Sequence, residues 1–379
     1  MDWLVVGIIG VILVIGIILI YLVFGSTSEE ENKILSSVSE HILDDEIKST
    51  FFLSQKKYGE SDFQKGLSEV KIINSIFKNL KTHLHKYIIG QDEFINSLLI
   101  GLLSSNHILV EWVPGLAKTK TLDILTRLLE LDFKRLQFTP DMLPSDIIGT
   151  QIFNLKTQEF QIQKWPVFTN ILLADEINRT TPKVQSALLE AMQERKVNIG
   201  GEEFELPFPF FVLATQNPIE QEWTYSLPEA QIDRFMFKVL VDYPSFEQEV
   251  AILEKVSDDI ESIKPIIWQR EILQAQREIE AISISEQLKR YIVGLVRSTR
   301  VLGDYILLGA SPRGEIAIYQ ASKTLAYLKW KKEVEVEDIR QVSLNSLRHR
   351  LILSPQAEVE GLKADDLLMQ VLPKVPTMI

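Results

Sequence analysis

HILVEWVPGLAKTKTLDIL, residues 107–125, passes from an apolar strand through a turn into a helix. Pro114 and Gly115 break the extended run, and Leu122, Ile124 and Leu125 return at helical spacing. A loop between a strand and a helix N-terminus turns backbone N–H groups toward an anion, and the helix dipole adds to the attraction. In that setting Lys118 would contact the outer phosphate oxygens of a nucleotide, and the Thr119 hydroxyl would reach its Mg²⁺. The general phosphate-loop pattern has glycine at positions 112 and 117, where this chain has Trp112 and Ala117. On its own, therefore, the loop leaves nucleotide binding open.

The next informative stretch is NILLADEINR, residues 170–179, where an apolar run ends in Asp175 and Glu176. In a doubly wound sheet a strand's C-terminal end lies beside such a loop. Asp175 can then hold the Mg²⁺ shell, and Glu176 can orient or deprotonate an attacking water. Without the loop, the two acids would read as a helix cap and a solvated neighbour. Further short apolar runs, FKRLQF (133–138), FPFFVLAT (208–215) and FMFKVLVDY (235–243), alternate with helical patterns. That alternation predicts an α/β fold with a parallel sheet covered on both faces. Beyond Pro244 helical periodicity takes over to about Leu372, predicting a second, all-helical domain.

The motifs GQDE (90–93), VPGLAKT (113–119), FTPDMLPSDIIG (138–149), LLADEINRTTPKVQSALLEAMQE (172–194), ATQNPIEQE (214–222), LPEAQIDRF (227–235), LGASPRG (308–314) and RHRLILSP (348–355) follow one another in order. In that order they resemble the MoxR family of AAA+ ATPases, over residues 67–372 or so. The resemblance implies an AAA+ P-loop core over residues 67–244 and a helical lid domain over 245–379. It also accommodates Ala117, since the family has alanine before the lysine. Carried over, it implies that Pro114, Gly115, Leu116, Ala117, Lys118 and Thr119 cradle phosphate. Thr119 and Asp175 would hold Mg²⁺, and Glu176 would act on the water. Asn217 would be a polar sensor near the γ-phosphate, and Arg234 an arginine finger reaching a neighbouring subunit's ATP. Arg313 would be a second sensor coupling the lid to the γ-phosphate, while Gly90 and Gln91 would lie against adenine. The family's chaperone-like work implies a homo-oligomeric ring, expected to be a hexamer. Its client protein would be remodelled or activated, often together with a von Willebrand factor A domain protein.

Residues 150–168, TQIFNLKTQEFQIQKWPVF, alternate apolar and polar side chains on either side of a polar turn and predict a hairpin. By resemblance this is an insertion projecting toward a ring pore or a partner; a purely structural hairpin is the alternative. Four of the six tryptophans, Trp112, Trp165, Trp223 and Trp330, stand where the MoxR pattern has glycine. A bulky indole where backbone must approach a ligand or take positive φ would crowd or strain the turn. A degenerate ATPase, compensated substitutions, and UGA codons that the organism reads as glycine all account for it. The shared destination of the four changes, with the motif residues otherwise intact, favours the last.

Ahead of all this, Trp3 to Phe24 runs 22 residues without a charge. As a helix it would be about 33 Å long, enough to span a bilayer. No basic start precedes it, so an uncleaved transmembrane anchor over 1–25 is expected rather than a signal peptide. Residues 26–66 carry nine acidic and five basic side chains and read as a juxtamembrane linker. Since ATP is cytosolic, the body belongs in the cytoplasm and the N-terminus outside. A formal charge of −12 offers no basic footprint, so nucleic acid is not an expected partner. The absence of cysteine excludes disulfides and thiolate metal sites. The competing functional reading is a nucleotide-gated scaffold with weak or no hydrolysis that assembles partners at the membrane.

Overall fold

Five parallel strands form the central sheet: β1 (Ile108–Trp112), β2 (Phe133–Gln137), β5 (Ile171–Asp175), β8 (Phe211–Gln216) and β9 (Phe237–Val241), in the order β2-β5-β8-β1-β9. The computed structural model describes residues 77, 79–112, 118–156, 158–217, 224–254, 263–301 and 304–377, without the side chains of Trp112 and Lys118. These residues belong to one compact unit, Val70–Ile379. The expected anchor and linker, residues 1–66, lie outside the described residues, as do Pro114, Gly115, Leu116, Ala117 and Trp223. Among the described residues no helix is long and apolar enough to cross a membrane.

The strands form because each sends alternate apolar side chains into a separate core. Ile108, Val110, Leu173, Phe211 and Leu213 join one buried cluster, while Leu109, Leu172, Ala174, Val212 and Ala214 join the other. This period of two, apolar on both sides, is what a sheet covered on both faces requires. Helices α1 (Asp92–Leu103) and α2 (Lys118–Leu129) pack on the first face, and α4 (Pro182–Glu194) on the second, after the short α3 (Ser145–Ile148). The exception is β2, an edge strand on which Lys134 and Arg135 are exposed. The Arg135 side chain reaches the Asp175 carboxylate at the end of β5.

The segment after α3 forms the expected hairpin, with β3 (Gly149–Asn154) antiparallel to β4 (Glu159–Lys164). Phe153 and Phe160 stack edge to face across it at 5.1 Å while remaining exposed. A second hairpin, β6 (Lys196–Ile199) with β7 (Glu202–Glu205), turns at Gly200 and Gly201, whose φ values of 63° and 91° only glycine adopts freely.

After β9 come α6 (Phe246–Glu254), α7 (Gln269–Glu280), α8 (Glu286–Ser298), α9 (Pro312–Leu328), α10 (Val336–Leu347), α11 (Pro355–Val359) and α12 (Ala364–Val371); α5 (Glu229–Ile232) precedes β9. Among the described residues the region departs from all-helical in an isolated bridge between Ser283 and Glu333 and in one strand pair. Strands β10 (Ile306–Leu308) and β11 (Ile352–Leu353) pair antiparallel just before Ser311-Pro312 and Ser354-Pro355. A residue before proline is held extended, and both serines then cap a helix. Helix α9 ends as well as it begins. Lys331 N–H donates to Ala326 O and Trp330 N–H to Tyr327 O, both at 2.9 Å, with Trp330 left-handed at φ 65°. That is a Schellman ending, whose left-handed residue is usually glycine.

Candidate functional site

The register of the sheet levels the C-terminal strand ends: Gln137 faces Asp175, Ala174 faces Ala214, and Glu111 faces Gln216. Asp175 therefore ends its strand beside Thr215, with β8 alone between it and the end of β1. Strands lie about 4.8 Å apart, so the carboxylate stands roughly 10 Å from the chain leading into the loop. On the far side of that loop α2 opens with Lys118, Thr119 and Lys120 and has no acid in its first turn. Helix starts are usually acidic; a basic one suits an anion at the N–H end.

Asp175 is 1% exposed and fully engaged. One carboxylate oxygen, Oδ2, accepts from Arg135 Nη2 at 2.7 Å and Nε at 3.1 Å, and Oδ1 accepts from the Thr215 hydroxyl at 2.7 Å. Thr215 Oγ1 in turn accepts from Glu176 N–H at 2.9 Å, which fixes the turn after β5. Glu176 is left-handed there at φ 58°, an uncommon conformation for a residue with a Cβ and one that clusters at functional sites. Its Oε2 accepts from Gln137 Nε2 at 2.6 Å and pairs with Arg179 Nε at 2.9 Å. Asn217, at the end of the neighbouring strand, is buried. The donor set fits a small divalent cation bound together with phosphate: the Asp175 carboxylate and the Thr119 hydroxyl are hard oxygen ligands, few enough that substrate oxygens and water would complete the shell. Bound there, Mg²⁺ would neutralise charge on the outer phosphates.

Gly90 and Gln91 turn the chain into α1 with left-handed φ values of 66° and 56°. A Cβ at position 90 would lie 2.5 Å from the Gln248 amide nitrogen, so a larger residue there would push that side chain of α6 aside, and the left-handed φ favours glycine.

Arg234 and Arg313 are brought together, but away from the strand ends. They line a cleft of about 250 Å³ with Ser105, Asn106, His107 and Asp233. His107 immediately precedes β1, so the cleft opens at the N-terminal edge of the sheet. Five residues of β1 at about 3.3 Å each set the two edges roughly 15 Å apart. Four arginines, Arg195, Arg234, Arg313 and Arg350, line this cleft with one carboxylate, Asp233. Arg234 Nη1 donates to Leu189 O at 3.2 Å, and its buried Nε has no hydrogen-bond partner among the described residues. Arg313 is half-exposed and 4.0 Å from Asp233. Burial lowers Arg350 to about 10, with Asp233 opposing the shift, so it stays cationic at neutral pH. The cleft is rich in cationic side chains, and it lies at the opposite edge of the sheet from the C-terminal end of β1 and the start of α2.

Residues 107–237 match the ATPase family associated with various cellular activities (AAA), and residues 301–371 match the AAA lid domain. The chain is 43% identical over 298 residues to the chaperone MoxR1 of Mycobacterium tuberculosis, covering 76% of this chain and 79% of that protein. The chain belongs to the MoxR family of AAA+ ATPases. Another relative is the uncharacterized protein YeaC of Bacillus subtilis, 43% identical over 77% of this chain and 92% of its own length. The crystal structure of a candidate ATPase from Cytophaga hutchinsonii superposes with a TM-score of 0.78 at 41% identity, covering 83% of this chain and 98% of that one. The strand-end acids pointed to Asp175 and Glu176, and the MoxR-family motifs to Arg234 and Arg313, but neither pointed to the residues that hold them. Arg135, Gln137 and Thr215 on one edge, and Asp233 and Arg350 on the other, appear only once the strands are ordered. Asp233 and Arg350 stood inside quoted motifs without a role, so proximity to Arg234 was the one available hint.

Proposed function

We propose that this MoxR-family chain binds and hydrolyses ATP at the interfaces of a ring, read as a hexamer, and uses the cycle to remodel or activate partner protein complexes. The observation that carries the reading is the division of the ATPase residues between two edges of one sheet. Each subunit would offer its loop, Asp175 and Glu176 to ATP from one side, and the next subunit would offer Arg234 and Arg313 from the other. Thr119 and Asp175 would hold Mg²⁺, Asn217 would position the water, and Glu176 would take its proton once released from Gln137 and Arg179. The arginines would meet charge developing on the phosphoryl oxygens. Similarity to a protein named chaperone MoxR1 supports client work, with a von Willebrand factor A domain protein as the proposed partner. The uncharged run 3–24 supports a membrane anchor with the body in the cytoplasm, and the charge of −12 speaks against nucleic acid. Positions 112, 165, 223 and 330 are read as glycine in the native organism; the left-handed backbone of Trp330 supports this at one of the four.

The test is turnover and assembly of the full-length chain with Mg²⁺-ATP. Turnover that rises with protein concentration as rings form is the expected result. ATP retained without turnover would place the scaffold reading first.

A further inference from the structure

Asp233 stands one residue before Arg234, yet its carboxylate points to the lid. Its Oδ1 accepts from Arg350 Nε at 2.8 Å, and its Oδ2 accepts from the Ser311 hydroxyl at 3.0 Å. Arg350 is a lid residue whose side chain is 2% exposed. Its guanidinium also donates to the backbone carbonyls of Asp233 at 3.1 Å, Phe235 at 2.8 Å and Met236 at 3.2 Å, and to that of Ser346 at the end of α10. The two residues before it add further grips on the same segment, His349 to Phe235 O at 3.0 Å and Arg348 to Lys238 O at 3.2 Å. Three consecutive lid residues thus hold the core backbone on which Arg234 sits. Ser311 is the cap of α9 and accepts from Arg313 N–H at 3.2 Å. A single carboxylate therefore joins the residue beside Arg234 to the cap residue that places Arg313.

We propose that Asp233, paired with Arg350, is a positioning residue that locks Arg234 of the core and Arg313 of the lid into one unit presented to the neighbouring subunit's ATP. This rests on the interface reading above. The carboxylate suits the task because its closest charged partner is the buried Arg350, which leaves the charges of Arg234 and Arg313 directed at the cleft. Removing Asp233 would strand a buried guanidinium, and the segment 233–238 would have to rearrange around it. Misplacing a charged group by about 1 Å is enough to lose much of its effect on a transition state. Lid and finger would then leave the neighbouring site together rather than independently.

The experiment uses the full-length chain. Asp233→Asn should lower turnover on the order of 10²-fold, the scale of losing one preorganised transition-state contact. Its KM for ATP should stay within about threefold of the unmodified chain, because its own loop is intact. Mixed with Lys118→Ala subunits, whose cleft is intact, it should regain turnover as Arg234→Ala does; a subunit that is merely misfolded would not. Asp233→Glu, which restores the charge, should recover part of the loss. Turnover within about twofold of the unmodified chain would overturn the proposal. So would failure of mixing to rescue Asp233→Asn under conditions that rescue Arg234→Ala. Should Asp233→Asn fail to assemble, Arg350→Lys, which keeps the charge but loses the planar fork, is read by the same two criteria. Full turnover in Arg234→Ala would instead remove the interface reading, and the coupling with it.

Discussion

At the C-terminal edge of the sheet two carboxylates are each held by a guanidinium and a neutral donor, whereas at the N-terminal edge four guanidiniums and one carboxylate line a cleft. The first arrangement is balanced and pre-set, with Asp175 and Glu176 fixed by Thr215 and by groups on β2. The second is short of negative charge and half open. A balanced site and a site with surplus donors, roughly 15 Å apart on one subunit, would come together around one nucleotide only between subunits, as the interface reading proposes.

The largest test of that comparison removes the donor side. Arg234→Ala should lower turnover on the order of 10³-fold or more, as for an arginine finger supplied by a neighbour. Mixing with Lys118→Ala should restore part of it, because some interfaces then pair an intact loop with an intact arginine. Absence of recovery in rings shown to be mixed would make Arg234 a structural residue. On the acceptor side the effects should separate. Glu176→Gln should lose turnover on the order of 10²-fold while keeping ATP and favouring the assembled ring. Lys118→Ala should fail to bind ATP, and equal affinities in the two variants would contradict the assigned roles.

Acid should strike the arginine edge through stability. His107 is held neutral, near 4, by burial. Val212 N–H donates to its Nδ1 at 3.0 Å while Nε2 meets Met192 O at 3.1 Å, leaving no place for a second proton. Above the unfolded value of about 6.5 neither state takes up a proton there, and the contribution is complete. As pH falls toward 4 the unfolded chain gains a proton that the folded chain refuses, so stability should drop by about 3 kcal/mol. Urea unfolding across that range would show it, and His107→Gln should flatten the dependence; an unchanged slope would refute the assignment.

The smallest effect concerns the far end of α9, the helix that carries Arg313 in its first turn. Trp330→Gly should stabilise the fold by about 1 kcal/mol, the cost of a left-handed conformation for a residue with a Cβ. Thermal unfolding measures it, and peptide mass spectrometry of native material shows whether position 330 is already glycine. Native peptides containing Trp112 or Trp330 would end the UGA reading and bring the scaffold forward.

Much of the core was legible because each strand is a local apolar run: all five predicted runs became strands, within two residues of their predicted limits at most ends. The β6–β7 hairpin was missed although its signal was present, two glycines between the alternating Val197, Ile199 and Phe204, Leu206. The pair β10–β11 was not legible, since two or three extended residues carry no period and acquire partners only through the packing of the lid.

The chemistry of the strand end was written in the chain itself. Asp175 and Glu176 are adjacent, and a strand that ends in two acids beside a strand–loop–helix unit is a local pattern. Arg135 lies 40 residues before Asp175, and Arg350 lies 117 after Asp233. Nothing local ties such pairs together. Their meeting depends on β2 pairing with β5 and on the lid folding back over the start of β9, and those are contacts between elements far apart in the chain. Residue types and spacing determined which groups can bind phosphate, metal and a developing charge. Only the tertiary structure decided that the arginines stand on the opposite edge from the loop, because parallel strands put every C-terminal end on one side and the lid docks on the other.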